Sequence, residues 1–337
     1  MQTKKQLFEK LILEGSVDER FLFRPILMHF AARYAGISYG ELASDFRKLV
    51  DANIRCMEDF DTDMVGLISD PYRETAAFGA PIEFIAEGVP ICKKNIVTDY
   101  QDVKALPRPD IKHSERTLDR IKGAEYYQER LKGTVPLIGW IEGPLAEACD
   151  LAGVSEVLMK LIIEPDFIEL LLDKCLQTGI DFAHAQVEAG CDIIGIGDAI
   201  CSQIDRPLYD QFVKDRHKQL IEAIHEKGAR VKLHICGDIT HLLPSLKDLN
   251  VDILDIDWQV DPEKTLQIMG PDVIRSGNIN PVSIQDNNAE KLTTCVHDLL
   301  AREKDRRFIL SGGCEITVLT PPENLALLRK ESIKQHI

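Results

Sequence analysis

Short apolar runs alternate with longer amphipathic segments along this chain. Eight of these runs are rich in β-branched and aliphatic residues, and most of them lead into polar residues. Because they are almost continuously apolar, they are typical of parallel strands that are buried on both faces. The eight predicted strands cover residues 21–28, 64–69, 135–143, 192–198, 230–237, 251–257, 272–278 and 307–314.

The segments between the predicted strands carry apolar residues at three- and four-residue spacing, which indicates amphipathic helices. Examples are residues 40–60, 153–188, 206–228 and 288–304. Alternating strands and helices predict a parallel sheet, and eight repeats favour an α/β fold closed as a (β/α)8 TIM barrel over an open doubly wound sheet. We therefore predict a single barrel domain over residues 1–337.

The segment 71–134, after the second predicted strand, is longer than one helical crossover requires. It contains the proline-rich stretch LPRPD at 106–110. We predict that this insertion forms extra strands and a helix that cover one side of the barrel mouth.

Composition and charge narrow the class of protein. The net charge of -15 argues against a nucleic-acid binder and against docking on an anionic membrane. No apolar stretch is long enough to span a bilayer, and the charged N-terminus lacks the features of a signal peptide. Nine scattered cysteines favour a reducing compartment. We expect a soluble, cytoplasmic protein.

Two predicted strands end in residues that bind metals. The fifth ends in His234 and Cys236, whose side chains share one face because strand side chains two apart point the same way. The eighth ends in Cys314. In a barrel all three would lie at the C-terminal mouth, where barrel enzymes keep their active sites. Two thiolates and an imidazole favour zinc, with burial of these residues in the core as the alternative.

Other strand ends carry polar residues that could work in the same site. Asp198 could orient a ligand or transfer a proton, or it could cap a helix. Glu142 could be a displaceable fourth zinc ligand, or a surface carboxylate. The predicted wall of the substrate pocket consists of His29, Tyr34, Asp70, Tyr72, Ser202, Asp257 and Asn278.

Four motifs resemble the uroporphyrinogen decarboxylase superfamily, whose fold is a (β/α)8 barrel. They are LMHFAARY (27–34), LDIDWQVDP (254–262), SGNINP (276–281) and TPPEN (320–324), in that order along the chain. Asp70 and Arg33 match family positions, but His29 replaces an arginine that holds substrate carboxylates in the decarboxylases. Cys149 and Cys314 also stand at positions where the decarboxylases carry a tyrosine and a histidine.

HICGD (234–238) and SGGC (311–314) are similar to the zinc signature of another branch of this superfamily, the cobalamin-dependent methyltransferases. The resemblance implies a zinc-dependent enzyme that moves a methyl group between a small molecule and the cobalamin of a separate corrinoid protein. The small molecule would be a methylated compound or a thiol such as coenzyme M. The alternatives are a decarboxylase and a non-catalytic binding protein of a corrinoid pathway. A second copy of the chain, in a homodimer, is a further candidate partner.

Overall fold

The computed structural model describes residues 2–17 and 20–333; the remainder of the predicted domain 1–337 lies outside the described residues. The strands are β1 (Leu22–Phe23), β2 (Val65–Gly66), β3 (Ile82–Glu83), β4 (Ile91–Cys92), β5 (Leu137–Glu142), β6 (Ile193–Gly197), β7 (Arg230–His234), β8 (Ile253–Asp255), β9 (Ile274–Ile279) and β10 (Phe308–Gly312). Each of the eight predicted strands contains or overlaps one of them.

Eight strands form one parallel sheet in the order β1-β10-β9-β8-β7-β6-β5-β2. β1 and β2 stand at the two ends of this order, and a hydrogen bond joins them. The backbone N–H of Asp63, just before β2, donates to the carbonyl of Phe23 in β1 at 2.8 Å. The Asp63 carboxylate accepts the backbone N–H of Phe23, also at 2.8 Å. The predicted (β/α)8 barrel class is confirmed, with its insertion after the second barrel strand.

The first helix precedes the strands in the chain, and the other helices follow strands. They are α1 (Lys4–Glu14), α2 (His29–Ala35), α3 (Tyr39–Ser44), α4 (Phe46–Phe60), α5 (Arg73–Ala77), α6 (Tyr100–Ala105), α7 (Glu115–Leu131), α8 (Pro144–Ala152), α9 (Val154–Ile163), α10 (Pro165–Glu188), α11 (Arg206–Leu208), α12 (Lys214–Glu226), α13 (Leu243–Leu246), α14 (Pro262–Met269), α15 (Pro281–Asp286), α16 (Ala289–Arg302) and α17 (Pro322–Glu331). Two 3-10 helices (Ala199–Gln203 and Lys247–Leu249) and a π-helix (Tyr209–Val213) complete the set. Among these helices, none is both long and apolar enough to cross a membrane.

The bottom of the barrel is an apolar layer sealed by α1. Phe8 and Leu11 of this helix are 4% and 2% exposed, and they join a cluster of residues from the amino ends of the barrel strands. The strand residues of the cluster are Leu22, Met64, Ile138, Ile193, Ile253, Ile274 and Ile309. Burying each such side chain contributes about 1.5–3 kcal/mol. The apolar layer therefore leaves the opposite, carboxyl ends of the strands free to carry polar side chains.

The insertion lies beside the mouth of the barrel. β3 and β4 pair antiparallel as a hairpin. The hairpin is held by the backbone N–H of Gly40, which donates to the carbonyl of Ala86 at 2.9 Å. The guanidinium of Arg116, on α7, stacks 4.8 Å from the centre of the Phe84 ring on this hairpin. Since Arg116 also binds Asp70, four residues after β2, the hairpin covers one side of the mouth.

Candidate metal centre and active site

The structure brings His234, Cys236 and Cys314 together at the carboxyl ends of β7 and β10. The His234 Nε2 atom is 3.0 Å from the Cys236 sulfur and 3.9 Å from the Cys314 sulfur. The two sulfurs are 3.6 Å apart. Residues that are 80 positions apart in the chain thus present one nitrogen and two sulfurs to a common point.

These distances suit a tetrahedral zinc site. Zinc–sulfur bonds of about 2.3 Å and zinc–nitrogen bonds of about 2.0–2.1 Å place two sulfur ligands about 3.8 Å apart, and a nitrogen and a sulfur about 3.6 Å apart. The sulfur–sulfur separation and the distance from His234 to the Cys314 sulfur lie within about 0.3 Å of those edges, and the distance from His234 to the Cys236 sulfur is about 0.6 Å shorter. His234 and the two cysteines would therefore supply three ligands of a zinc site, and all three residues border a cavity.

A carboxylate, that of Asp255, fixes which ring nitrogen of His234 faces the two sulfurs. The Asp255 carboxylate lies 3.2 Å from Nδ1 of His234, which leaves Nε2 directed at the cluster. The Lys232 ammonium is 2.5 Å from the same carboxylate oxygen. Although burial opposes the charge on Asp255, Lys232 and His234 hold the pKa of that carboxyl well below its ordinary value. A carboxylate hydrogen-bonded to a histidine in this way is typical of metal sites.

The two thiols differ sharply in acidity because they share one hydrogen bond. The Cys236 thiol stabilises the thiolate of Cys314 and lowers the pKa of Cys314 to about 5. The same bond, together with burial, raises the pKa of Cys236 far above its ordinary value. One thiolate is therefore already favoured beside the imidazole, and a metal cation would favour loss of the second proton.

A cavity of about 210 Å³ opens beside the cluster. Its apolar side consists of aliphatic residues and the Trp140 ring, and its polar side contains three carboxylates. The lining residues are Ile26, Met28, Ile68, Asp70, Pro71, Trp140, Glu142, Gly197, Ala199, His234, Cys236, Cys314 and Glu315. Trp140 fits there because β6 has glycine opposite it: a Cβ at Gly195 would lie 2.3 Å from the indole.

Asp70 is part of the cavity lining, and both of its oxygens accept hydrogen bonds. Arg116 donates to them at 2.5 and 2.6 Å, and the Ser69 hydroxyl donates at 2.6 Å. Against the effect of burial, Arg116 and Arg73 lower the pKa of Asp70 to about 2. Asp70 is thus an ionised partner of Arg116 at neutral pH.

Glu142 also lines the cavity. Its Oε1 atom accepts hydrogen bonds from Arg73 at 2.8 Å and from the Trp140 indole at 3.3 Å. Burial raises the pKa of Glu142 well above its ordinary value, in opposition to Arg73. The Glu142 carboxyl group is part of the cavity wall at the end of β5.

Glu315 is a cavity residue that the sequence analysis missed. Its Oε1 atom accepts the backbone N–H of His29 at 2.9 Å and lies 3.2 Å from Nδ1 of the same residue. The His29 ring stacks on Tyr39 with its centre 3.6 Å away, and Tyr39 donates its hydroxyl to the carbonyl of Ser69. His29 therefore holds Glu315 in place and is not itself part of the cavity lining. The sequence signal for Glu315 is its position directly after Cys314.

Asp198 does not line the cavity. Its carboxylate is completely buried and accepts the backbone N–H groups of Leu145 and Ala146 at 3.2 and 2.8 Å, at the amino end of α8. It also contacts Nε2 of His217 at 2.9 Å, and Tyr209 contacts the other ring nitrogen of that histidine at 2.9 Å. The geometry is that of a helix cap, the alternative that the sequence left open, and a catalytic role for Asp198 stays a prediction.

Three of the predicted pocket residues stabilise the loops around the cluster instead of lining the cavity. Asp257 accepts the backbone N–H of Gly237 at 3.0 Å, which holds the turn after Cys236. The Asn278 amide donates to the carbonyl of Val260 at 2.9 Å. Ser202 donates to the carbonyl of Ala199 at 2.9 Å. Their short side chains are used by nearby backbone groups, as is common for these residue types.

The two predicted tyrosines also lie outside the cavity lining. Tyr34 donates its hydroxyl to Asp59 at 2.9 Å and packs against Phe60, between α2 and α4. It stands five residues after His29, which places the two side chains on different faces of α2 because a helix turns every 3.6 residues. Tyr72 precedes α5, and its backbone N–H donates to Asp70 at 3.1 Å. Neither tyrosine is part of the lining of this cavity, and a substrate contact by either one stays a prediction.

The fold and the cluster define the class of protein: a parallel (β/α)8 barrel with a histidine–cysteine–cysteine cluster at the carboxyl ends of its strands. The chain belongs to the uroporphyrinogen decarboxylase (URO-D) family, whose model matches residues 3–334. The resemblance inferred from the four sequence motifs is thereby confirmed.

Curated relatives of two kinds match this chain. A methylcobamide:CoM methyltransferase MtaA from Methanosarcina barkeri is 27% identical over 231 residues, which are 67% of this chain and 66% of that protein. A methylcobamide:CoM methyltransferase MtbA from Methanosarcina mazei is 30% identical over 61% of this chain and 60% of its own length. A uroporphyrinogen decarboxylase from Psychromonas ingrahamii is 26% identical over 96% of this chain and 95% of its own length.

The same barrel is found in a solved structure. A methyltransferase from Methanosarcina mazei superposes with a TM-score of 0.89, covers 98% of each chain and is 21% identical in sequence. At this identity the likeness establishes the shared fold.

Proposed function

We propose that this protein is a zinc-dependent methyltransferase that moves a methyl group between a small molecule and the cobalamin of a separate corrinoid protein. The observation that carries the proposal is the cluster of His234, Cys236 and Cys314, whose three ligand atoms lie within 4.8 Å of one another. The names of the MtaA and MtbA relatives support the same activity.

Zinc, when bound, supplies a Lewis acid that activates a thiol or the leaving heteroatom of a methyl donor. The chain's own residues would prepare the place where this happens. Asp255 holds His234 with Nε2 facing the cluster, and the Trp140 ring with its aliphatic neighbours excludes water from one side of the cavity. Exclusion of water strengthens electrostatic interactions with a bound molecule.

The surface beside the cavity suits a protein that delivers a cofactor. Apolar side chains are exposed on the hairpin next to the mouth, where Ile91 is 45% exposed and Val89 is 39% exposed. Trp258, whose backbone contacts the loop before Cys314, is 49% exposed. Contiguous apolar patches mark protein interaction sites, whereas single exposed apolar residues are ordinary. We propose that the corrinoid protein docks here.

The alternative of a uroporphyrinogen-type decarboxylase has support from relatives that match nearly the whole chain. It requires cationic groups for the several carboxylates of a tetrapyrrole. Arg33 is exposed and donates to the carbonyl of Val318 at 2.8 Å, and Arg116 is committed to Asp70. The cavity therefore favours the methyltransferase. The other alternative is a non-catalytic corrinoid-binding protein. Measured turnover of a methyl donor would distinguish an enzyme from such a protein.

The activity can be tested with free methylcobalamin and 2-mercaptoethanol as probes. We expect the zinc-loaded protein to accelerate demethylation of methylcobalamin, followed by its absorbance, and we expect Cys314→Ser to abolish the acceleration. Cys295→Ser, which alters a half-buried thiol on α16 outside the cluster, is the matched control and should behave as wild type. Equal rates with and without zinc, or an unaffected Cys314→Ser variant, would refute the proposal.

A further inference from the structure

The middle of the barrel, between the apolar bottom layer and the metal centre, contains charged side chains. Arg24 and Asp255 each stand two residues after a member of the bottom layer. Lys232 stands two residues before His234 on β7. Strand alternation directs all three charged side chains into the barrel, and all three are buried. Barrel interiors are filled mainly by branched apolar residues, and buried charges are costly unless they are paired, so these charges require a reason.

Lys232 and Asp255 form an ion pair between neighbouring strands. In the register of β7 and β8, Lys232 pairs with Ile253. Asp255 stands two residues further along β8, opposite His234. Two residues correspond to about 6.6 Å along a strand, which the long lysine side chain spans. Its ammonium lies 2.5 Å from Oδ2 of Asp255, and Nδ1 of His234 lies 3.2 Å from the same oxygen. One carboxylate oxygen thus joins the lysine to the histidine of the metal centre.

The Asp255 carboxylate has few other contacts. Among the described residues, Lys232 and His234 are the only side chains that form an ion pair or a hydrogen bond with it. Arg24, the other cation of this layer, forms no ion pair within the same residues, and its Nη1 atom is buried without a partner. Although burial and the charge of Arg24 lower the pKa of Lys232 to about 8, the lysine is protonated at neutral pH. Lys232 is therefore the cation in contact with Asp255.

We infer that Lys232 is a positioning residue of the metal centre: it holds Asp255 in the orientation that directs Nε2 of His234 at the two cysteine sulfurs. The inference rests on the proposed function only in that zinc occupies this cluster. Carboxylates that bind the second nitrogen of a metal-binding histidine contribute to metal affinity because they fix the imidazole ring. Loss of the lysine should release Asp255, and through it the ring, without removing a zinc ligand.

Two possible effects of Lys232 on zinc binding have opposite signs. As a positioning residue it strengthens zinc binding, whereas as a positive charge inside the barrel it repels the zinc ion. Lys232→Met keeps a long unbranched side chain and removes the charge. We expect its zinc affinity at neutral pH, measured by competition with a chromophoric chelator, to fall about tenfold, the lower end of the effect of losing a partner of a metal ligand. Unchanged or tighter binding would overturn the inference.

Further variants test whether Lys232 acts through Asp255. In an Asp255→Asn background, Lys232→Met should change zinc affinity less than about twofold, because the contact through which it acts is already lost. A full tenfold loss in that background would contradict this route. Lys160→Met is the matched control, because Lys160 is a buried lysine on α9 that pairs with Glu164 at 2.9 Å, and it should bind zinc as wild type does.

Lys232→Gln provides the measurement if Lys232→Met does not fold, because it keeps a hydrogen-bond donor beside the buried carboxylate. Its zinc affinity should lie between those of wild type and Asp255→Asn. Wild-type affinity in this variant would overturn the inference.

A proton signal of the zinc-loaded protein reports on the same contact. With Nε2 bound to zinc, Nδ1 of His234 carries a proton that faces Asp255, and NMR should show this zinc-dependent signal far downfield. We expect it to shift upfield in Lys232→Met and to stay in place in Lys160→Met; an unshifted signal in Lys232→Met would overturn the inference.

Neither measurement needs a methyl donor, so the inference and the proposed function can fail separately. If zinc-loaded wild type does not demethylate methylcobalamin while Lys232→Met still weakens zinc binding, the proposed function fails and the positioning role stands. If wild type is active and Lys232→Met binds zinc equally well, the positioning role fails and the proposed function stands. A wild type that binds no zinc overturns both.

Discussion

Asp198→Ala removes a carboxylate that makes three hydrogen bonds in the structure. The two oxygens accept the backbone N–H groups of Leu145 and Ala146, and one of them also meets Nε2 of His217. All of these groups are buried, so the shortened side chain leaves them without a partner.

The cost follows from those contacts. Each buried polar group that loses its partner costs about 1–3 kcal/mol. Three such groups, with partial relief from a water molecule in the vacated space, give a loss of about 3–5 kcal/mol in the free energy of unfolding. Since domains of this kind are stable by about 5–15 kcal/mol, the variant should be severely weakened.

Urea denaturation of the metal-free proteins, followed by circular dichroism, measures this loss. The matched control is Asp205→Ala, which removes an exposed N-cap that accepts the backbone N–H of Leu208 at 2.9 Å. Loss of such a cap costs about 1 kcal/mol. Asp198→Asn keeps one acceptor oxygen and provides a milder variant if Asp198→Ala does not fold.

The refuting result is specific. If Asp198→Ala loses no more stability than Asp205→Ala but loses methyl transfer, Asp198 acts in the reaction and the capping explanation is wrong. If both Asp198 variants lose stability and folded Asp198→Asn retains turnover, the carboxylate is structural.

Three further predictions follow from contacts around the cluster. Asp255→Asn removes the negative charge next to Nδ1 of His234. We expect the affinity for zinc, measured by competition with a chromophoric chelator, to fall about 10- to 100-fold; unchanged affinity would refute this. Gly313→Ala places a Cβ 2.2 Å from the backbone nitrogen of Trp258, so thermal unfolding should show a loss of about 1–3 kcal/mol together with weaker zinc binding, and a variant identical to wild type would contradict the close approach. Against the effect of burial, Arg116 lowers the pKa of Asp70 to about 2. At a pH above the ordinary pKa of an aspartate, the ionised carboxylate therefore adds about 2 kcal/mol to the free energy of unfolding. This contribution is lost as the pH falls from about 4 to about 2. Wild type should therefore lose more stability than Asp70→Asn over that window in melting experiments, and parallel losses would count against the ion pair.

The sequence predicts the barrel well because its strands are nearly continuous apolar runs. The run at 230–237, for example, becomes β7 with its last residues at the mouth. The same periodicity places His234 and Cys236 on one face, and eightfold repetition places Cys314 at the same end of the sheet. These inferences need only strand alternation and a parallel sheet.

The rest of the site depends on which groups each side chain meets across the fold, and local patterns do not contain that information. Tyr34 and Asn278 carry suitable chemistry near strand ends, but the structure directs them to Asp59 and to the carbonyl of Val260. Asp198 follows a strand and is drawn into the amino end of α8. The position of Glu315 directly after Cys314 places it near the cluster, but its contact with the backbone of His29 is a long-range one that the sequence does not contain.

The most direct measurement is X-ray absorption at the zinc edge of the purified protein. We expect one nitrogen and two sulfurs in the zinc shell, the sulfurs at about 2.3 Å, from His234, Cys236 and Cys314, and one sulfur fewer in Cys314→Ser. A protein that binds no zinc, or that holds it through nitrogen and oxygen alone, would contradict the metal centre and with it the proposed methyl transfer.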